Sequence, residues 1–468
     1  MDAKSRYLAI SLFFLLLIHV ESFQLKCSLQ HGGSSSSKTD WLSMYSVPPR
    51  RAYEGLPSSP GWKRGQLDTL TDWAVNDEAN RPVICEYEPD AGYLWSKWKG
   101  TVLQLIYPSV IVNVIVGILV TYSVREFADS TWPLFAIPPQ DDSLIQQLHG
   151  FNLIWSYQVT LTTFILTFFT SEAYKHWKDV YFTTRRIQGR INDICMLVTI
   201  GATTPSEEDK AELVQKCTRL IKLSHTFFWA STPTSSNGLG DGGWEDDEED
   251  VSEVFNRDIQ IGPILLSPEG LQGLVDVGEL TPEEADSLLS SGLPPSQYAY
   301  VLLEWVGLII MDGLERNVLQ NQNSGLEENI LRQMSALRAE YFSIGDYAAG
   351  RMSLAYVQLV QVLVDSLVFL APVCLYSDVG SLSVPLVGLL TLFFKGLLEL
   401  SKSFLDPFGT EGFKSQNIRV DVLVSELNFG AQSRWVHAAE SFTTLKKKEQ
   451  QRLRGEELPI SSHVNSKS

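Results

Sequence analysis

Two stretches of this chain, residues 101–124 and 150–171, hold no charged side chain at all. Each is long enough to cross about 30 Å of hydrocarbon as a helix. Inside a bilayer no water meets the backbone, so every N–H and C=O must be satisfied within the segment, and a helix does this alone. Two more segments follow late in the chain. Residues 352–377 are interrupted only by Asp365, and 379–394 reach spanning length if the helix continues past Lys395 and Gly396 toward Leu400, with Lys395 snorkelling to the surface. The chain therefore reads as an all-α membrane protein with four transmembrane helices.

Charge placement orients these spans. Lys97, Lys99, Lys175, Lys178, Arg351 and Lys402 lie on the side holding both termini and the central insert, whereas the loop 125–149 sets Arg125 against Glu126, Asp129, Asp141 and Asp142. An even number of spans and the positive-inside bias agree, which puts the insert in the cytosol, or in the stroma if the membrane is a thylakoid.

Residues 172–350 are too many for a loop and carry helix punctuation. Ser206 with Asp209 caps a segment whose Leu213, Cys217, Leu220 and Leu223 recur at helical spacing, and Thr281-Pro282-Glu283-Glu284 is a capping box with Pro at the first helical position. Further helices fit 298–320 and 325–341. Between them, 231–258 is rich in Ser, Gly and acid and reads as a disordered insertion. No strand pattern competes, so the soluble part is expected to be a helical extension of the membrane bundle.

The net charge of −18 argues against a nucleic-acid partner, which needs clustered Lys and Arg. Gly238-Leu239-Gly240-Asp241-Gly242-Gly243 follows no strand and runs into carboxylates, so it is no phosphate loop. The acidic run lacks the alternating ligands of an EF-hand. The five cysteines show neither disulfide-framework nor zinc spacing, and no Ser/His/Asp or Cys/His set can be assembled. We expect no catalytic residues, no cofactor and no metal site, hence no enzyme.

The start of the chain reads as an address. Lys4 and Arg6 precede an apolar run over 7–20 of signal-peptide length, with Ser22 as a cleavage point. Residues 23–65 are Ser-rich and basic, and Phe23 stands at the junction. That two-part pattern resembles the plastid address of algae with secondary plastids; the plainer alternative is a signal peptide followed by a linker.

The second span carries the functional hint. Thr160, Phe164 and Phe168 share one helical face, where hydroxyls beside phenyl rings can line a narrow pore and ring edges favour anions. Packing between membrane helices, or a lipid-facing stripe, would give the same periodicity. Asp365 inside an apolar span is a functional candidate by default, weighed against a hydrogen-bonded packing role. Asn113 and Gln104 are expected to bond between helices.

Four short motifs, in order around four spans, resemble the bestrophin family. Trp98-Lys99-Gly100-Thr101-Val102 is similar to its Trp-Arg-Gly-Ser-Val, and Phe164-Ile165-Leu166-Thr167-Phe168-Phe169 with His176-Trp177 to its Phe-Val-Leu-Gly-Phe-Tyr and Arg-Trp-Trp. Leu354-Ala355-Tyr356 opens the third span, and Asp406-Pro407-Phe408-Gly409 follows the fourth as the family's Asn/Asp-Pro-Phe-Gly does. The resemblance implies a homo-pentameric anion channel whose second-span helices form a hydrophobic neck, with Phe164 and Phe168 on neck positions. Thr160 stands at a third, usually bulky and apolar, position. Arg351, Met352 and Ser353 replace the usual prolines, and no acidic run follows Gly409, so calcium activation does not carry over.

The resulting expectation divides the chain into a signal peptide (1–22), a transit-like segment (23–65), an N-terminal region (66–100), two spans (101–171), a helical soluble region (172–350), two further spans (351–403) and a C-terminal region (404–468) that packs on the soluble part and ends in a disordered tail. Its expected function is passage of chloride or bicarbonate across a lipid membrane, a plastid membrane and the thylakoid in particular, or else a plasma membrane or endomembrane. A secondary anion transporter would lead one to expect inverted repeats, and none is visible; a membrane scaffold without flux is the third reading.

Overall fold

The computed structural model describes residues 83–84, 90–96, 98, 101–127, 138, 143–202, 207–232, 265–319, 325–409, 418–428 and 431–454. The N-terminal address, Ser206 at the start of the soluble helices, the acidic insertion from 233 onward and the end of the chain lie outside these residues. The helices are α1 (Ala91–Ser96), α2 (Val102–Phe127), α3 (Ser143–Gly201), α4 (Glu207–Ser231), α5 (Pro268–Val277) and α6 (Pro282–Ser290). They continue with α7 (Tyr298–Glu315), α8 (Gly325–Ala349), α9 (Leu354–Val379), α10 (Ser383–Phe404), α11 (Val420–Asn428) and α12 (Ala431–Leu453). Among the described residues the only extended pairing is an isolated bridge, Ala202 to Leu319, so the chain is all-α as expected.

Three stretches are long and apolar enough to cross a membrane: Val102–Glu126, Ile145–Gly201 and Leu354–Phe404. The last is two helices, α9 and α10, joined by a single turn of 3₁₀ helix at Gly380–Leu382. Gly380 makes the reversal possible: its φ of 59° suits a residue without Cβ, and its N–H closes on the Tyr376 carbonyl. The chain forms two compact units, the first described over Thr101–Thr170 and Ser353–Leu400, the second built mainly from Ser171–Met352 and Ser401–Ser468.

In the first unit α2 packs on α9 and α10. At Gly388 a Cβ would lie 3.0 Å from Val114, so glycine sets how closely α2 and α10 approach. A cluster of Val120, Val124, Ile145, Leu148 and Tyr376 closes one end. Between α3 and α9, Trp155 donates its indole N–H to the Leu367 carbonyl at 2.9 Å, and Gln158 donates to Ser366 at 2.6 Å. Two sequence expectations change. Lys395 does not snorkel; its Nζ lies 3.0 Å from Asp365 Oδ1, while Asp365 Oδ2 accepts from Gln361 at 2.6 Å. A lysine and a carboxylate facing each other across neighbouring spans neutralise one another more cheaply than either can remain single. Buried Asn113 bonds along its own helix, to the Ser109 carbonyl at 3.0 Å, rather than to another helix.

The second unit is organised around α4, whose residues 220–230 are buried on every side beneath α7, α11 and α12. Leu213, Cys217, Leu220 and Leu223 all lie in this core, as their spacing predicts. The two cations of α4 nearest this core are paired: Arg219 makes a two-pronged contact with Glu284 at 2.6 and 2.8 Å, and Lys222 meets Glu279 at 2.8 Å. Glu284 is also the third residue of the capping box with Thr281, which forms as its sequence indicates. Helix α7 ends at Glu315, short of the expected 320, because Asn317 takes φ 56° and the N–H groups of Val318 and Leu319 turn back onto the Gly313 carbonyl. Helix α8 runs past 341 to Ala349.

Candidate functional site

The apolar first part of α3 has two distinct sides. Trp155, Thr162, Leu166 and Phe169 are buried against the rest of the first unit. At about 100° per residue, Thr160, Phe164 and Phe168 centre on the opposite side. All three are exposed, Phe164 to 62% and Phe168 to 53%. Their rings meet edge to face with centroids 4.8 Å apart, one turn from each other, and Thr160 sits one turn before Phe164.

The polar content of this side sets it apart from its neighbours. The exposed positions of α2 between Leu105 and Tyr122 include Ile111, Val112, Ile115, Ile118 and Leu119, and α10 exposes Leu386, Leu389, Leu392 and Phe393. Such surfaces suit acyl chains. On α3 the exposed side also carries Leu153 and Leu161, but it and its flank interleave Ser156, Thr160, Thr163 and Thr167 with Tyr157, Phe164 and Phe168. Each hydroxyl donates to a carbonyl one turn earlier, for example Thr163 to Val159 and Thr167 to Thr163, both at 2.8 Å. The side chains are thus satisfied without water, and rotation of the hydroxyl hydrogen can offer a donor outward. Thr163 and Thr167 were not singled out from the sequence, although the same periodicity reaches them.

Described residues of three further motifs, around His176-Trp177, Tyr356 and Phe408-Gly409, serve packing. Tyr356 meets Phe169 with centroids 5.9 Å apart in the first unit. In the second, Trp177 stacks on Tyr181 at 5.8 Å, and His176 lies edge-on to Tyr347 at 6.0 Å. Phe408 is buried against Trp229 at 5.6 Å, and Gly409, with φ 67°, turns its N–H to the Asp406 carbonyl. Trp98 is exposed.

Among the described residues no three His, Cys, Asp or Glu side chains converge as a metal site would require. Cys195, Cys217 and Cys374 are free and buried, and burial pushes the Cys217 thiol up to about 12, which keeps it an inert packing group at neutral pH. The most perturbed imidazole is His225, wholly buried in α4 and depressed to about 3 by loss of solvent. Trp229 donates to its Nε2 at 3.2 Å, so the ring hydrogen is on Nδ1, facing the Tyr341 hydroxyl at 3.2 Å.

No family model matches the sequence, and no curated protein matches it. Among solved structures the chain is similar to a bacterial bestrophin homolog from Klebsiella pneumoniae, at 16% identity and TM-score 0.45, covering 70% of this chain and 97% of that one. A variant of the same bacterial protein is similar at 13% identity and TM-score 0.47, over 71% and 98% of the two chains. A crystal structure described only as a membrane protein has 12% identity and TM-score 0.48, with coverage of 71% and 98%.

Proposed function

We propose that the protein is an anion-selective channel, conducting chloride and also bicarbonate, in which copies of α3 surround a hydrophobic neck formed by Phe164 and Phe168 with Thr160 at its wetter end. The observation that carries this reading is the exposed side of α3. It is the one place among the exposed faces of α2, α3 and α10 where hydroxyls and phenyl rings alternate. Apolar rings at a constriction admit ions only when it wets, and their positive edges favour anions over cations. The order of the short motifs around the four spans supports a homo-pentamer, and the basic, Ser-rich address supports a plastid membrane, the thylakoid in particular. Reconstitution of purified protein into planar bilayers tests the function. Stepwise currents that reverse at the anion equilibrium potential are expected, in chloride and in bicarbonate alike; slow coupled flux, or none, would reject a channel.

A further inference from the structure

Helix α12 begins in the core of the second unit, where Trp435 is buried and the helix packs on α4 and α11. Its last turns leave that core. Every described side chain from Thr444 to Arg454 is exposed, Leu445 to 63% and Leu453 to 82%. Lys446, Lys448 and Arg454 are exposed with them, and Glu449 is the single acid of this stretch. Neither lysine has an ion-pair partner among the described residues. A short helical end held by its backbone bonds alone is marginal in water, so these turns call for a surface that covers the leucines and meets the charge.

The complementary surface lies on α5 and α6 of the same unit. The sequence holds no Lys, Arg or His between Arg257 and Arg316, yet six carboxylates fall between Pro268 and Ser290. Two of them face inward: Glu284 takes Arg219 at 2.6 Å and Glu279 takes Lys222 at 2.8 Å. Glu283 and Asp286, about one turn apart on α6, are exposed and have no cation partner among the described residues. A few residues on, Leu289 and Leu293 are exposed to 40% and 43%. One patch is acidic and the other basic but for Glu449, both expose leucines, and no ion pair joins them within the subunit among the described residues.

We propose that the exposed end of α12 docks on the α5–α6 hairpin of a second copy of this chain, with Lys446 and Lys448 against Glu283 and Asp286. Charge complementarity selects this occupant, since each copy carries both the patch and its counterpart. Contact between two different patches is head-to-tail, and repeated about an axis it closes a ring. The proposal rests on the reading of the protein as a ring of identical subunits, but not on what that ring conducts.

The test uses the full chain purified in detergent, with native mass spectrometry reading the fraction of intact assembly. In dilute salt K446E/K448E and E283K/D286K are each expected to lower that fraction about threefold, the scale of two exposed ion pairs turned repulsive. The variant carrying all four reversals is expected to recover the wild-type fraction. All of these proteins are expected to converge near molar salt, where the Debye length is about 3 Å. Coexpression of the two double variants is expected to recover most of the assembly as well, because the reversed helix of one meets the reversed hairpin of the other. The four side chains are exposed, so the subunit is expected to fold; if a reversal does not, K446Q/K448Q and E283Q/D286Q take its place, and wild-type assembly in both overturns the proposal. Loss with K446E/K448E that E283K/D286K does not rescue overturns it and sends the lysines to other carboxylates. Recovery in the fourfold variant but not on coexpression places the contact within one subunit and overturns it too. Double variants that assemble like wild type overturn the contact while leaving the ring intact, and wild-type protein that is monomeric throughout overturns both.

Discussion

Replacing Phe164 and Phe168 by Ala separates a pore constriction from a packed pair. Both rings are more than half exposed in the subunit, so F164A/F168A creates no cavity in the subunit core. If the rings narrow an ion path, the double variant assembles normally and its anion conductance rises, because a wider constriction no longer dewets. If they are buried between helices of the assembly, each truncation costs about 3–5 kcal/mol and assembled protein is lost. Gel filtration followed by bilayer recording distinguishes the two outcomes. His225 yields a second expectation, concerning stability. Its folded-state value of about 3 lies below the ordinary 6.5, so folded and unfolded chains are both neutral there at high pH and stability is complete. As pH falls through 6.5 the unfolded chain takes up a proton that the folded chain refuses, and stability is lost progressively until about 3. By about pH 5 the loss from this residue is on the order of 2 kcal/mol. H225Q should be less stable overall yet show a flatter thermal-unfolding midpoint between about pH 7 and about pH 5; an unchanged slope would assign the acid sensitivity to other groups.

At the scale of elements, the Asp365–Lys395 pair ties α9 to α10, and removing one partner strands the other charge within a span. Asp365→Asn should cost about 3–5 kcal/mol and reduce the yield of folded protein in detergent, whereas D365N/K395Q should recover much of it. A double variant that folds but conducts abnormally would instead place the pair in the ion path. The pairing also marks where sequence reading stops. Asp365 and Lys395 were each visible as an oddity in an apolar run, but only the packing of α9 on α10 tells that they meet. Local signals were legible: the Thr281 capping box, the buried stripe of α4 and the four apolar helices depend on residues within a turn or two of each other. The length of α3 was not, because the charges after Ser171 mark a change of solvent, and helical hydrogen bonds from Ser143 to Gly201 are indifferent to it. The stop of α7 was missed for a smaller reason, a non-glycine residue, Asn317, adopting the left-handed region. At the candidate site, the shared side of Thr160, Phe164 and Phe168 follows from periodicity alone, while its contrast with the aliphatic sides of α2 and α10 needed their burial.

For the whole molecule, one copy of α3 cannot enclose an ion path, and rings as exposed as Phe164 must meet either lipid or other copies of the chain. Closed cyclic assembly would bring the same residue of every subunit to the axis, so a site at a narrow neck lies close to its own symmetry mates. Thr160→Cys exploits this. Disulfides require Cβ atoms about 3.5–4.5 Å apart, a separation reached near a constricted axis and nowhere else on a ring of this kind. The described native cysteines are buried and will not compete. Mild oxidation of the T160C protein in membranes should produce covalent dimers but no higher ladder, since each subunit offers one thiol at that level. Leu389→Cys, on the aliphatic side of α10 and 63% exposed, is the control and should stay monomeric. Native mass spectrometry of the oxidised complex should still give five subunits, with at most two disulfides per pentamer and one thiol left over. Cross-linking at Leu389 but not at Thr160 would turn α3 toward lipid and move the axis to α10, and a subunit count other than five would reject the pentamer while leaving the side of α3 to be tested by its own currents.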